Sequence, residues 1–329
     1  MSNGLTNLGN TCYMNSALQC FLHLPELSMQ NLQSDIQKRS SKNDFQLMKE
    51  FHNLYQKMWS KERSVINTRE FLMEFMKRCR KENIYFESFL QNDAHEFITI
   101  LIDLLSASIK RSVNIQISGT AQNDYDKMKL QSIHTWEKFF KNNYSTLIGL
   151  FYTKTVAFTI CDNCDYSTTN HEPMSNITLT IDLKYESIYD CLNEYTRHSR
   201  LDNNNKWKCD NCNEYVLPYK KNIFFNLSPL LIFSLKLFRN GRKLNGHISF
   251  PEKLDMKEYV IAINNQTYNY ELSGICIHNG TLNGGHYYAM CKNYQDKNWY
   301  IFNDTNVQLT TIDHVLKESP YCLFYRKID

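Results

Sequence analysis

Cys12 follows Gly9, Asn10 and Thr11 and precedes Met14, Ala17, Leu18, Phe21 and Leu22, which are spaced as one apolar face of a helix. Asn10 or Thr11 suits the N-cap, so Cys12 falls in the first turn and off the apolar stripe. Unpaired N–H groups and the helix dipole favour a thiolate there, lower its pKa and can hold a developing oxyanion. Asn7 stands five residues upstream, where its side-chain amide could aim at the same point. A lone thiol beside a cap is ordinarily inert. The upstream glycine, the cap position and Asn7 together make Cys12 a candidate nucleophile, whereas Cys20 lies beside the apolar face and reads as core.

A thiol nucleophile needs a base, and the base needs a third group to fix its tautomer. Of ten histidines, His286 is the candidate. Gly284 and Gly285 precede it and admit a close backbone or an extended substrate, and Tyr287–Met290 alternates as a strand does. A second strand pattern, Trp299 to Phe302, ends in Asn303 and Asp304, and antiparallel pairing would bring Asn303 near His286. An Asn carbonyl can accept the imidazole N–H. Asp304 reads either as a loop-capping carboxylate or as a group that shares the orienting role. His278 reads as packing near the same loop and His95 as helix surface.

Cys161-Asp-Asn-Cys164 and Cys209-Asp-Asn-Cys212 form a duplicated pair. Each turn can offer two thiolates on one side, and four complete a tetrahedral, closed and therefore structural zinc site. A redox role is the alternative, and duplication within a strand-rich stretch favours metal. A zinc ribbon could also touch nucleic acid, but the neighbouring acidic residues argue against that.

The elements that must position these groups come in two blocks. Phe45, Met48, Phe51, Leu54, Tyr55 and Met58 recur at helical spacing within 44–59. Thr68 opens a helix with Phe71, Leu72, Phe75 and Met76 on one face, and Asp93 to Glu96 resembles a capping box. Residues 115–129, polar and with Gly119 inside, read as a loop. From Thr153 the pattern changes to period two: Val156, Phe158 and Ile160, then Ile177, Leu179, Ile181 and Leu183. Turns are expected at Asn240-Gly241, Asn245-Gly246, Asn279-Gly280 and Asn283-Gly284-Gly285. Helices first and strands second indicate an α+β fold.

A chain of 329 residues is one large domain or two ordinary ones and needs no disulfides to stabilise its core. Its 11 cysteines cannot all pair within the chain. The net charge of +3 is too balanced to imply nucleic acid or membrane as a partner, and 10 Gly with 6 Pro argue against long linkers. No signal peptide is visible at the N-terminus. The most apolar stretch, 223–238, is interrupted by Asn226, Ser228, Pro229 and Lys236, too short for a span, and reads as a buried strand or two. An intracellular, reducing, soluble setting is expected, in cytoplasm or nucleus, of a host cell if the gene is viral. A glycan at Asn303-Asp-Thr would block the candidate site.

The segment LTNLGNTCYMNSALQ, Leu5 to Gln19, resembles the cysteine box of the ubiquitin-specific protease family of deubiquitinating enzymes. Tyr270, Leu272, Gly274, His278, Gly280, Gly284, Gly285, His286 and Tyr287 resemble its histidine box, and Gln91-Asn92-Asp93 its Gln-Gln-Asp box with Asn92 for the second Gln. The resemblance runs from Leu5 to about Arg326. Ser234, Leu237 and Met290 depart from common family residues at packing or loop-support positions.

It implies Cys12 as nucleophile, His286 as base, Asn303 as third member with Asp304 supporting, and Asn7 on the oxyanion. It further implies Asp93, Gly284 and Gly285 at the substrate's tail. Cys161, Cys164, Cys209 and Cys212 would hold one structural zinc, with no organic cofactor. The implied fold is that of a papain-like cysteine protease, with a helical thumb at about 1–145, zinc-bearing β fingers at about 146–235 and a β-rich palm at about 236–329. Loops near 239–249 and 279–284 would gate the tail. The implied activity is thioester-mediated hydrolysis after ubiquitin's last glycine, by a monomer acting on ubiquitin and ubiquitinated proteins. A ubiquitin-like modifier as substrate and a catalytically silent ubiquitin-binding scaffold are the alternatives.

Overall fold

A computed structural model describes residues 3–39, 44–62, 64–87, 90–164, 166–201, 206–239, 241–244, 246–261, 267–281 and 284–328. The expected turn residues Asn240, Asn245 and Asn283, and parts of both expected gating loops, lie outside this set.

The first block is helical: α1 Cys12–Leu22, α2 Met29–Lys38, α3 Gln46–Met58, α4 Arg69–Lys81, α5 Ala94–Ser108, α6 Asp124–Phe140 and α7 Thr146–Phe151. Helices α3 and α4 bury the faces their periodicity marks: Met48, Phe51, Leu54 and Tyr55 in one, Phe71, Leu72, Phe75 and Met76 in the other. Helix α1 differs. All of its 11 residues are buried, polar Asn15, Ser16 and Gln19 included, so the helix is a central strut rather than a surface amphipath. Phe21 shows why it holds the halves together. Its ring lies 5.5 Å from Phe151 of α7 and 5.6 Å from Phe324 of β16.

The second block carries β1 Thr153–Ile160, β2 Ser167–Met174, β3 Ile177–Thr180, α8 Ile188–Thr196, β4 Ser199–Arg200, β5 Trp207–Lys208, β6 Tyr215–Val216, β7 Tyr219–Asn226, β8 Leu230–Lys236, β9 Phe238–Arg239, β10 Arg242–Lys243, β11 Lys253–Asp255, β12 Asn269–Thr281, β13 Gly284–Lys292, β14 Trp299–Asn303, β15 Asn306–Thr310, α9 Ile312–Val315 and β16 Pro320–Lys327. One eight-stranded sheet runs β15-β14-β13-β12-β16-β8-β3, with β11 paired to β12. A separate four-stranded sheet runs β2-β1-β7-β4, and β5–β6 and β9–β10 are two-stranded ribbons. The fold is α+β, with a helical thumb, a β-rich palm and β fingers. Strands β3 and β8 lie inside the 146–235 interval yet belong to the palm sheet, so the fingers leave that sheet and return to it.

Three local expectations differ from the structure. Part of the expected loop at 115–129 is helix: α6 begins at Asp124, with Asn123 accepting from Asp126 N at 2.8 Å. Its first turn is acidic and its buried residues are only Ser132 and Phe140, so no apolar stripe announces it. The strand expected through Leu183 ends at Thr180; Ile181 is still buried, but Leu183 is 73% exposed. Asn279-Gly280 is not a turn, because β12 runs through it with Gly280 at φ +143°. Helix α8 was not anticipated; Ser187 and Asp190 close a reciprocal capping box at its start. Among the described residues no helix is long and apolar enough to cross a membrane.

Replacing Phe21 by Ala should cost about 3–5 kcal/mol, because both facing surfaces lose their filler. Urea unfolding of the variant against the parent measures it.

Candidate active site

Helix α1 starts without a side-chain cap. Thr11 sits at the N-cap, but its Oγ1 accepts from Leu8 N at 2.9 Å instead of turning to the helix. Gly9 at φ +100° and Asn10 at φ +56° make the tight turn that precedes it. The first-turn amides beside Cys12 are therefore not spent on a capping side chain.

Asn7 is locked by this turn. Its Oδ1 accepts from Gly9 N at 3.0 Å and Thr11 N at 3.2 Å, which sets the amide's orientation, and its Nδ2 donates to Asp304 Oδ2 at 2.9 Å. A carboxamide nitrogen carries two protons, so one donor remains. Asn15, one turn into α1, donates to the other Asp304 oxygen at 2.8 Å. Asp304 itself sits at φ +50° in the β14–β15 turn, and its carbonyl accepts from Leu5 N at 2.9 Å.

The imidazole and its orienter come from neighbouring strands. β13 pairs with β14, Ala289 against Phe302, which carries His286 and Asn303 to one end of the pair. His286 Nε2 lies 2.6 Å from Asn303 Oδ1. A carbonyl oxygen only accepts, so Nε2 carries the proton and Nδ1 keeps its lone pair. Asn303 therefore meets the imidazole, while Asp304 meets Asn7 and Asn15.

Cys12 is only 4% exposed. Burial pushes its thiol above the ordinary range, and the negative charge of Asp304 adds to this. N–H groups of Tyr287, Tyr13 and Cys12 itself pull the other way and do not prevail. The expectation of a lowered pKa at this helix start is thus corrected. The amides are present, but desolvation outweighs them.

The glycine just before His286 passes tight neighbours. A β-carbon at position 285 would lie 2.3 Å from His278 Nε2 and 2.6 Å from Asn279 O. His278 is buried, its ring 4.5 Å from Tyr287 and 5.7 Å from Phe238, so it packs beneath the strand. Asp93 caps α5 through His95 N at 2.7 Å, and its second oxygen accepts from Tyr321 Oη. His95 lies in the first turn of α5, where burial lowers its pKa. Gln91, Asn15 and Tyr321 were not singled out from sequence. Gln91 and Asn15 stand inside the quoted boxes, and all three gain their partners only through tertiary contact.

At the fingertips the Sγ atoms of Cys161, Cys164, Cys209 and Cys212 lie within 4.8 Å of one another. Cys164–Cys209 is 3.6 Å and Cys161–Cys212 3.8 Å, far longer than a disulfide. Thiolates about 2.3 Å from a tetrahedral ion lie roughly 3.8 Å apart, so the cluster has the dimensions of a closed four-sulfur metal site. Asn163 N and Asn211 Nδ2 each donate to a cluster sulfur at 3.4 Å.

The chain is 30% identical over 334 residues to ubiquitin carboxyl-terminal hydrolase 2 of Bos taurus, covering 98% of this chain and 54% of that protein. The Homo sapiens protein of the same name is 29% identical, again over 98% of this chain and 54% of that one. The chain thus spans about half the length of these relatives. Among solved structures it is similar to the SAGA DUB module Ubp8/Sgf11/Sus1/Sgf73 bound to monoubiquitin, with TM-score 0.75 and 25% identity over 99% of this chain and 69% of that one. The same module bound to ubiquitin aldehyde gives 0.74 at 25% identity, over 99% and 70%. The profile described as ubiquitin carboxyl-terminal hydrolase matches residues 3–325, which include every group placed above, and the chain belongs to that family.

Proposed function

We propose that this chain is a thiol-dependent deubiquitinating hydrolase that cleaves the (iso)peptide bond after ubiquitin's C-terminal glycine. The observation that carries the reading is the His286–Asn303 contact of 2.6 Å beside a helix that presents Cys12 with its first-turn amides unspent. The relatives' names, and the ubiquitin and ubiquitin aldehyde bound to similar structures, support the choice of substrate.

Burial holds the Cys12 thiol above its ordinary range, which favours moving its proton as the sulfur attacks. His286 Nδ1 takes that proton while an S–C bond forms at the glycine carbonyl. Asn303 Oδ1 holds the Nε2–H of the resulting imidazolium. The Cys12 N–H and the second Nδ2 proton of Asn7 receive the oxyanion. The C–N bond then breaks, and His286 protonates the departing amine. Water, deprotonated by His286, cleaves the thioester and restores the thiol. Asp304 acts at one remove by aiming Asn7. Asp93, exposed at the start of α5, keeps lone pairs for the basic tail of ubiquitin, and Gly284 and Gly285 border its path.

Cys161, Cys164, Cys209 and Cys212 would hold one structural zinc that ties the fingers together and takes no part in the chemistry. We assign thumb, fingers and palm to about 1–145, 146–235 and 236–329, and a monomeric, intracellular protein acting on ubiquitin and its conjugates.

Ubiquitin bearing a C-terminal electrophile should form one covalent adduct with the intact protein and none with Cys12→Ala. No adduct on the intact protein would sink the reading, and an adduct only with a ubiquitin-like modifier would redirect it.

Asp304→Asn separates thiol reactivity from turnover. Asp304's charge helps hold the Cys12 pKa up, so neutralising it lowers that pKa and raises the thiolate fraction at neutral pH. Iodoacetamide should therefore label Cys12 faster in the variant. Hydrolysis of a ubiquitin amide should slow by about tenfold or more, because Asn7 loses its carboxylate anchor.

Freshly purified protein should contain about one zinc per chain, and Cys164→Ser should lower that content. Chelation should lower the unfolding midpoint, since metal binding at such sites contributes directly to local folding. Elemental analysis and thermal scans measure both.

A further inference from the structure

The edge of β13 that meets Cys12 is completed by a side chain. β12 pairs with β13 from one side, Gly280 opposite Gly285 and Asn279 opposite His286. β14 covers only Ala289–Lys292. Ahead of Ala289, two groups from the thumb meet the strand instead. Alternate residues of a strand turn their N–H and C=O to opposite edges, so Gly285 and Tyr287, two apart, address the same edge. Helix α1, which carries Cys12, packs against β13, and the Tyr287 N–H acts to lower the Cys12 pKa. At Gly285, Gln91 Oε1 accepts from the N–H at 3.0 Å and Gln91 Nε2 donates to the C=O at 3.1 Å.

A carboxamide that satisfies both backbone groups of one residue does what a paired strand residue does. It fixes position along the strand as well as distance from it. The remaining face of Gly285 is closed by His278, since a β-carbon there would lie 2.3 Å from Nε2. Gly285 is thereby held by β12, by the His278 ring and by Gln91, and the next residue is His286. Gln91 belongs to the segment that leads into α5, two residues before the cap Asp93. It thus ties the thumb to the palm beside the imidazole. Asn303 sets the ring's Nε2 end; where Nδ1 points depends on where the backbone beneath the ring is held.

Resting on the catalytic reading of Cys12 and His286, we infer that Gln91 is a positioning residue whose paired hydrogen bonds to Gly285 hold the His286 backbone in register with Cys12. It touches neither the reacting atoms nor the imidazole.

Two variants test this in the full chain: Gln91→Ala, which removes the side chain, and Gln91→Met, which keeps its length and bulk without the hydrogen bonds. Both should lower kcat for a fluorogenic ubiquitin C-terminal amide by about tenfold or more, because small misplacements of a base are costly. KM should stay within about twofold, since the contact is not to substrate. The pH profile of Cys12 alkylation by iodoacetamide, read without ubiquitin, should shift in both variants while their unfolding midpoints match the parent. Parental kcat in Gln91→Met overturns the inference, as does a raised KM with kcat unchanged. If the parent hydrolyses no ubiquitin amide, the proposed function fails by itself. The alkylation profile then decides, and identical profiles for parent and Gln91→Met overturn the positioning role.

Discussion

Everything at the site depends on burying the helix that carries Cys12 without spending its first amides. All 11 residues of α1 are enclosed, so the helix cannot shift relative to the palm strands without disturbing core on both sides. A helix start buried in this way would normally be satisfied by a capping side chain. Here Thr11 and Asn7 cap the preceding turn instead, through Leu8 N, Gly9 N and Thr11 N. The helix amides stay directed at the place where the reaction would develop negative charge. The same burial that fixes the sulfur raises its pKa, so rigidity and thiolate character are in opposition at this position. A thiol held above its ordinary pKa beside an imidazole oriented by Asn303 is the consequence.

Two adjacent residues of one turn divide the orienting work. Asn303 ends β14 and points to His286, while Asp304, in left-handed conformation, points the other way to Asn7 and Asn15. A carboxylate at the first position would hold the imidazolium by charge; the amide holds the ring by direction alone. The charge sits one residue on, where it aligns the Asn7 amide but also disfavours the thiolate. The N-terminal segment presses against this turn. A β-carbon at Gly4 would lie 2.5 Å from Thr305 O, which ties the position of the turn to the first residues of the chain.

The fingers obey a different constraint. Among the described residues, the buried apolar cluster around the four cysteines adds Val216 alone, with Trp207 packed against it. So small a cluster cannot offset the entropy of ordering two long hairpins, which is the physical reason a metal is expected there. The large core, by contrast, absorbs six thiols without a bridge. Cys20, Cys276 and Cys291 meet at 3.6 and 3.7 Å as packed sulfurs, and burial raises their pKa values. The odd cysteine count therefore reflects three separate uses of sulfur rather than incomplete pairing.

Where one sequence pattern determined one environment, the sequence was sufficient. The periodic faces of α3 and α4, the doubled cysteine turns, the strand before Asn303 and the cap at Asp93 are all local, because each rests on residues within about a turn or a hairpin of one another. Helix α6 was hidden since it buries almost nothing, and the strand through Asn279-Gly280 because a turn-like dipeptide was overridden by pairing with β13. The tertiary structure alone decided the partition of Asn303 and Asp304, the raised thiol of Cys12 and the seating of Gln91 on Gly285. Each depends on groups far apart in sequence, Asn7 and Asp304 separated by 297 positions and Gln91 and Gly285 by 194, and desolvation exists only once the core has closed. The residue types and their order determined which chemistry was available; the packing of α1 against the palm decided which atom faces which.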